Sequence, residues 1–406
     1  MTANTENNPT TDVVVIGGGY AGVMAANRLT QRDDITVTLV NPRPRFVERL
    51  RLHQHVAGEP APVVDYQEIL SERIRLVVDT ATDIDATGRT VALEGGDTLA
   101  YDYLVYAPGS GSFDLSSVPG ADEFVYPVAN LEAATRLREV IDAAPASSPI
   151  TVVGSGATGI EVASELAEQS RAVTLVCGKV LCPYLHPKVR RKFAKRLAKM
   201  GVNVIAGPDA TVTAVSRHAV QLRDGRELLS EVTIWTAGFS VPDLARRSGL
   251  TTDDTGRLLT DETLISVDSD RILAAGDSAS PSGVPFRASC ATARPLGAYA
   301  ADTILARLED KEPKEVNIGT GFQCIALGRN AAIVQLASMQ DVANRFSIQG
   351  PLGQKIKSSS YGLLTEELGK ESRKPGSFNW RLKDNKRRQK LSEMRDAAAP
   401  GSRQVA

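Results

Sequence analysis

The chain has 406 residues, a formal net charge of -1, 42% hydrophobic residues and 23% charged ones. That length suits two or three domains, and the charge balance excludes a protein whose main partner is nucleic acid. No apolar run reaches the ~18 residues of a membrane-spanning helix. Four cysteines, Cys177, Cys182, Cys290 and Cys324, are too few for a disulfide framework and fit a reducing compartment.

Residues 1–10, MTANTENNPT, are polar and lack the basic-then-apolar pattern of a signal peptide, so a loose tail and a cytoplasmic chain are expected. Asp12 to Ala26 follows as DVVVIGGGYAGVMAA. Val13 to Ile16 is a β-branched run expected as a buried parallel strand. Gly17, Gly19 and Gly22 then fall in G-x-G-x-x-G spacing around Tyr20 and Ala21, at the opening of a helix. Gly17 permits the tight turn, Gly19 lets backbone approach a pyrophosphate, and Gly22 lets helix and strand pack closely. The pyrophosphate would sit on the free N–H groups at the helix start.

Ile35 to Val40, ITVTLV, reads as the second strand, and Asn41 stands where an acid usually binds ribose hydroxyls. An amide can still hydrogen-bond a hydroxyl. Pro42 to Val56 is basic, and Arg43, Arg45, Arg49 and Arg51 are candidates for a pyrophosphate or an acidic acceptor, with a solvated charged face as the alternative. His53 and His55 share one side of an extended segment, but no acid stands at ligand spacing, so no metal site is expected. Short strands are expected at 75–85, which includes Ala81, at 90–93 and at 97–106. The last ends in Ala107-Pro108-Gly109, a turn suited to backbone passing near a ligand.

Behind a linker-like stretch, Ala143 to Pro149, the glycine spacing returns as Gly154, Gly156 and Gly159, with Ala157 and Thr158 inside it. Two such units imply two dinucleotides, or one dinucleotide and a duplicated relic. The next strand ends at Cys177, where an acid would prefer the free ribose of NAD. Lys179 could meet a 2′-phosphate, which leans towards NADPH or towards no strong preference. Lys188 to Met200 is a basic helix closed by Gly201. EVTIWTAGF repeats the strand-to-turn design with Ala237 and Gly238, and RILAAGDSA is a strand ending in Gly276-Asp277. A helix is expected from near Ala291, with Pro295 in its first turn. Beyond Lys311, strands between Gly319 and Met339 and a polar, basic tail are expected.

With these stretches in order the chain resembles the two-dinucleotide-fold flavoproteins of the pyridine-nucleotide oxidoreductase superfamily. It is most similar to the branch of type II NADH dehydrogenases and apoptosis-inducing-factor-like reductases. The resemblance covers about residues 11 to 310 and rests on GGGYAG, VYAPGS, VVGSGATGIEVASEL, WTAGF and ILAAGDSA. It implies an α/β fold of two Rossmann-like dinucleotide-binding domains, the second inserted in the first, plus a C-terminal α+β domain. Residues 11–115 and 240–310 would bind FAD, 116–239 would bind NADH or NADPH, and 311–406 would form an interface or dimerisation domain with a basic tail.

The resemblance implies FAD on the first glycine motif, on Asn41, Pro42, Arg43, Arg49 and Ala81, and on the Ala107-Pro108-Gly109 turn. Asp277 would accept a hydrogen bond from the ribitol, and Gly276 would let backbone approach it. The helix start at Ala291 and Thr292 would aim N–H groups at the flavin's pyrimidine end. The nicotinamide cofactor would lie on the second motif, beside Cys177, Lys179, Ala237 and Gly238, with Glu161 near the nicotinamide as the candidate catalytic side chain. Disulfide reductases of this superfamily carry a cysteine pair soon after the first unit; no cysteine precedes Cys177, so that chemistry is not expected here. Cys177 and Cys182 have the right gap but stand at the end of the second unit's ribose strand. Cys290 and Cys324 read as packing residues. Type II dehydrogenases usually carry a Gln-bearing motif after Gly-Asp, and this chain has Ser289, Thr292 and Arg294 instead.

The tail SFNWRLKDNKRRQKLSEM sets Phe378, Trp380, Leu382 and Leu391 among many Lys and Arg residues. It reads either as resting on an anionic membrane at the inner face or as a solvated or dimer-packing helix. The expected activity is hydride transfer from NADH or NADPH to FAD, then electron transfer to a quinone-like or other small acceptor. The alternatives are a reductase of a ferredoxin-type protein and a redox sensor with a degenerate nicotinamide site.

Overall fold

The structure, a computed structural model, describes residues 10–111 and 115–398. The expected tail at 1–9 lies outside the described residues. Two five-stranded parallel sheets dominate. The first runs Ile272–Ala274, Tyr103–Tyr106, Thr11–Ile16, Ile35–Asn41, Ile74–Val78 across its width. The second runs Val125–Pro127, Val232–Trp235, Pro149–Val153, Ala172–Val176, Asn203–Ile205. All strands of the second lie in the chain between Tyr106 and Ile272 of the first. One sheet is therefore threaded into the connection of the other.

Each glycine-bearing strand is central in its sheet, paired on both sides. Val13 to Ile16 and Ile150 to Val153 are buried throughout, because helices and turns cover both faces of each sheet. Each unit also sends out a small antiparallel meander from the same topological place: Ala81–Asp85, Thr90–Leu93 and Thr98–Ala100 in one, Val212–Ser216, Ala219–Leu222 and Glu227–Leu229 in the other. The strand expected at 75–85 is thus two strands in two sheets, turned at Asp79-Thr80.

The helix Tyr20–Leu29 packs on the helix Cys290–Leu308 with almost no space between them. A Cβ at Gly297 would overlap the Ala21 carbonyl, and one at Gly22 the Gly17 carbonyl. Pro295 lies in the second turn of its helix, not the first. The side chain of Ser289 caps the helix, so the first turn begins at Cys290. The missing N–H of Pro295 leaves the Ala291 carbonyl without its helical donor.

The remaining chain builds an antiparallel sheet, Phe322–Ala326, Ala332–Ala337 and Ala343–Gly350, followed by a long helix Pro351–Arg373. That helix returns to the first glycine unit, where Asn27 donates its Nδ2 to the Leu368 carbonyl. The tail does not present an apolar face outward. Phe378 and Trp380 pack on the core of the first unit, Leu391 is buried, and Trp380 donates to the Gly319 carbonyl. Arg387 makes a buried two-point pair with Glu262 at 2.6 and 3.0 Å. The aromatic residues find an apolar floor beside the Cys290–Leu308 helix, in keeping with the alternative of a packing tail. Among the described residues, no helix is long and apolar enough to cross a membrane.

Candidate functional site

The first glycine loop combines contact and vacancy. Gly17 has φ 102°, and a Cβ there would overlap the Ala107 carbonyl and lie 2.8 Å from Pro108 Cα. Loop and Ala107-Pro108-Gly109 turn therefore touch backbone to backbone. At Gly19 nothing stands within 4 Å of a Cβ, and the following helix has no side-chain cap. Uncapped N–H groups of Tyr20, Ala21 and Gly22 facing open space form an anion cradle.

Across from the loop, Gly276 has φ 75° and would place a Cβ 3.0 Å from the Ala21 Cβ. Asp277 Oδ2 accepts from Ser110 Oγ at 3.0 Å. Arg49 donates to the Ser110 carbonyl at 3.0 Å and hydroxyl at 3.1 Å, and to the Ala129 carbonyl at 2.6 Å. Burial lowers the Arg49 pKa, with the Asp277 carboxylate opposing the change. Asp277 is thereby held at the mouth of the cradle by a chain of polar contacts.

Asn41 is occupied by protein on both sides. Its Oδ1 accepts from Gly18 N at 2.9 Å and its Nδ2 donates to the Arg43 carbonyl at 2.7 Å, while Tyr66 Oη donates to the Gly18 carbonyl at 2.8 Å. A side chain with one donor end and one acceptor end can staple a loop in this way; a carboxylate cannot. Arg43, next to Pro42, makes a two-point pair with Glu132 at 2.6 Å, joining the first unit to the helix Leu131–Ala143. Arg45 pairs with Asp65 and Arg51 with Glu48. Ala81 is buried in the core under the first meander.

The second loop repeats the frame. Gly154 has φ 135° and would set a Cβ on Thr236 Oγ1 and 3.0 Å from Ala237 N, whereas Gly156 faces open space. Gly159 meets Thr236 and the Gly154 carbonyl, and the helix Ala157–Glu168 has no side-chain cap. Thr158 is exposed at its first turn, and Gly238 has φ 92° in the turn opposite. Burial pushes the thiols of Cys177 and Cys182 up to about 12, so neither is a thiolate nucleophile at neutral pH. Lys179 is exposed and has no ion pair among the described residues.

Glu161, on the second glycine helix, is buried and heavily engaged. Its Oε1 lies 2.8 Å from Lys357 Nζ and accepts from Ala326 N at 2.9 Å; its Oε2 lies 3.5 Å from His53 Nδ1. Burial works against the carboxylate, but the Lys357 ammonium, helped by the Ala326 N–H, holds its pKa below the ordinary value. Burial also works against Lys357, yet Glu161 lifts its pKa. Burial drives His53 down to about 4, so the imidazole is neutral beside a charged pair. Among the described residues, Tyr20 Oη, Tyr361 Oη and His53 Nε2 are buried in this neighbourhood without a hydrogen-bond partner, while Tyr184 Oη meets the Cys182 thiol. Buried polar atoms in native proteins ordinarily have a partner, so these call for one beyond the protein's own side chains.

Lys357 was not among the expected residues. Its signal is positional: Gly353, Lys357, Tyr361, Leu364 and Leu368 are buried together on one face of the long helix, so a lysine sits in the inward stripe. Among the described residues, no group of three or more His, Cys, Asp and Glu could hold a metal ion.

An α/β unit threaded into another, each with a glycine cradle open to a phosphate, defines a protein that brings two dinucleotides together. The chain belongs to the pyridine nucleotide-disulphide oxidoreductase family, which it matches over residues 11–294. It is an FAD-dependent NAD(P)H oxidoreductase. An NADH dehydrogenase-like protein of Mycobacterium tuberculosis is 29% identical over 353 residues, covering 80% of this chain and 87% of that one. The type II NADH:quinone oxidoreductase of the same organism is 29% identical over 349 residues, covering 75% and 74%. Among solved structures, the sulfide:quinone oxidoreductase of Aquifex aeolicus superposes with a TM-score of 0.76 at 20% identity, covering 90% of this chain and 93% of that one. NDH2 of Plasmodium falciparum in complex with NADH gives 0.75 at 14% identity, covering 92% and 100%. These two show the shared fold.

Proposed function

We propose that the protein passes electrons from NADH or NADPH, through FAD, to a quinone. The observation that carries this reading is the buried Glu161–Lys357–His53 cluster where the two glycine units meet the C-terminal helix. Relatives whose names include quinone oxidoreductase activity support the choice of acceptor. FAD supplies two-electron exchange with a nicotinamide and with a second acceptor.

On this reading residues 11–115 with 240–310 hold FAD. The N–H groups of Tyr20, Ala21 and Gly22 bind its pyrophosphate, and Asp277 its ribitol, with Arg49 and Ser110 positioning that carboxylate. Ser289 caps Thr292 N and accepts Ala293 N, so the N–H groups of Cys290 and Ala291 stay for a ligand and favour negative charge there. Residues 116–239 hold the nicotinamide nucleotide on Gly154, Gly156, Ala157, Thr158 and Gly159, with Ala237 and Gly238 opposite and Lys179 at the ribose end. Reducing a quinone to a quinol takes two electrons and two protons; the nicotinamide's hydride brings the electrons and one proton, and the second is taken up from solvent by way of Lys357. Lys357 Nζ carries a proton at neutral pH, Glu161 holds it at the acceptor, and the surrounding burial keeps bulk water out. The chain acts in the cytoplasm.

Anaerobic mixing of the purified flavoprotein with NADH, and separately with NADPH, should bleach the flavin absorbance. A short-chain quinone should then restore it. A flavin that neither donor bleaches removes the proposal; one that ferredoxin but no quinone reoxidises moves the acceptor to an iron–sulfur protein.

A further inference from the structure

One segment of the first unit is built into the second. The helix Leu52–Val56 lies in the chain between two strands of the first sheet, Ile35–Asn41 and Ile74–Val78. Yet Leu52 and Val56 pack into the core formed by Leu137, Ile150, Ile160 and Leu175 of the second unit. His53 of the same helix faces Glu161. The end of this arm, Ala57 to Glu59, is gripped by the second unit in turn. Arg138 donates to the Glu59 carbonyl at 2.7 Å, and Gln169 Nε2 donates to the Ala57 carbonyl.

A further grip comes from the C-terminal sheet, through Arg329 in the turn between Phe322–Ala326 and Ala332–Ala337. Its guanidinium pairs with the Glu59 carboxylate at 2.9 Å, donates to the Ala57 carbonyl at 3.4 Å and approaches Glu165 at 3.5 Å. The turn that carries it is pinned to the second glycine helix by backbone alone. Ala326 N donates to Glu161, Gly328 N to Ser164 Oγ and Arg329 N to Glu168, at 2.9, 3.0 and 2.7 Å. Those three acceptors stand at i, i+3 and i+7, on one face of the helix. The turn is therefore placed without the guanidinium. What the guanidinium adds is a link from that helix to the inserted arm.

We propose that Arg329 is a positioning residue for hydride transfer: it ties the arm of the first unit to the glycine helix of the second and so sets the spacing of the two bound dinucleotides. The reacting atoms are carried by different units, so the rate depends on how those units are seated on each other. A misplacement of about 1 Å costs on the order of a hundredfold in rate. None of the Arg329 contacts involves Gly17, Gly19, Gly154 or Gly156, so both cradles stay intact without it. The loss then falls on rate and not on binding. This inference rests on the assignment of FAD to one cradle and the nicotinamide to the other; it does not depend on the acceptor.

The test is anaerobic rapid mixing of full-length Arg329→Gln flavoprotein with NADH. Flavin content and the NADH concentration for half-maximal bleaching should match the unaltered protein. The limiting bleaching rate should fall about tenfold to a hundredfold. A primary isotope effect with NADH deuterated at the transferred hydrogen should mark hydride transfer as the slowed step. Arg329→Lys should recover only part of the rate, because an ammonium lacks the planar fork that reaches Glu59 and Ala57 together. Glu59→Gln, which cuts the same link from the arm, should slow bleaching too, and the double variant should be little slower than either single one. Hydrogen exchange supplies a readout apart from activity: residues 52–59 should exchange faster in Arg329→Gln, and residues 11–29 should not. Wild-type bleaching in Arg329→Gln overturns the proposal, as does a raised NADH requirement with an unchanged limiting rate. Faster exchange along the whole chain would mark a purely structural role and overturn it as well. An unaltered protein that neither NADH nor NADPH bleaches removes the cofactor assignment and the positioning role together.

Discussion

The two glycine units have the same frame and different chemistry at equivalent positions. In each, the first glycine presses on the turn after a neighbouring strand, Ala107-Pro108 in one and Thr236-Ala237 in the other, and the middle glycine opens onto free space. Two residues beyond the third glycine they part. The first unit has Met24 there, fully buried in an apolar core; the second has Glu161, equally buried and charged. One turn later the first has Arg28, paired with Asp302 and Glu371, and the second has Glu165, which among the bases of the described residues only Arg329 approaches, at 3.5 Å. A buried methionine is stable on its own helix, whereas a buried carboxylate needs a cation from outside. The second unit therefore depends on Lys357 of the C-terminal helix, and the first does not.

The most damaging way to break this contrast is Lys357→Met, which leaves Glu161 buried and unpaired. It should cost about 3–5 kcal/mol in denaturant unfolding. Glu161→Met added to it makes the second unit copy the first and should recover most of that loss while abolishing quinone turnover. If the double variant is no more stable than the single one, the pair is not what makes the units differ.

The pH dependence of Glu165 comes next. Burial lifts its carboxyl from 4.5 to about 7, with the Arg329 guanidinium opposing and Glu168 and Glu161 adding to the rise. The folded state then holds a proton that the unfolded chain releases, so stability falls as pH rises from 4.5 to about 7, and the cost is complete above that. Glu165→Gln should gain up to about 3 kcal/mol above this window and nothing below it. Urea unfolding on both sides of the window measures the difference; an equal gain at both pH values would contradict it.

Separating the two cradles is a smaller effect. Gly154→Ala forces a Cβ onto Thr236 at φ 135° and should cost more than about 1 kcal/mol. It should retain bound flavin yet slow its bleaching by NADH; Gly17→Ala should lose flavin. Flavin content and bleaching rate read the two separately. The smallest effect is at Lys179. Exposed and unpaired, it should contribute about 1 kcal/mol to a 2′-phosphate, so Lys179→Ala should weaken NADPH several-fold and leave NADH unchanged. Equal loss for both nucleotides would deny it a role in selection.

Much of the frame was legible in the chain because its causes are local. A β-branched run, a glycine at positive φ and a strand closing on a small-residue turn each state a backbone conformation within a few residues. That is why both glycine units, the Ala107-Pro108-Gly109 turn and the Gly276-Asp277 strand end could be read. The helix expected from near Ala291 starts at Cys290 behind the Ser289 cap, and only the turn that Pro295 occupies was misread.

The site was legible only where it coincides with that frame. Asn41 read as a ribose ligand, and only the structure shows that it also staples the loop through Gly18 and Arg43. Arg43 read as a free cation, but Glu132 of the other unit claims it. Phe378 and Trp380 read as part of a tail that either rests on a membrane or packs, and the structure sets both against the core of the first unit. By itself the sequence determined two dinucleotide cradles and their order, since spacing along the chain specifies a turn and a helix start. Only the tertiary structure decided that Glu161 is paired and that His53 is neutral. Burial and charge pairing are set by residues distant in the chain, and no local pattern records which of them will meet.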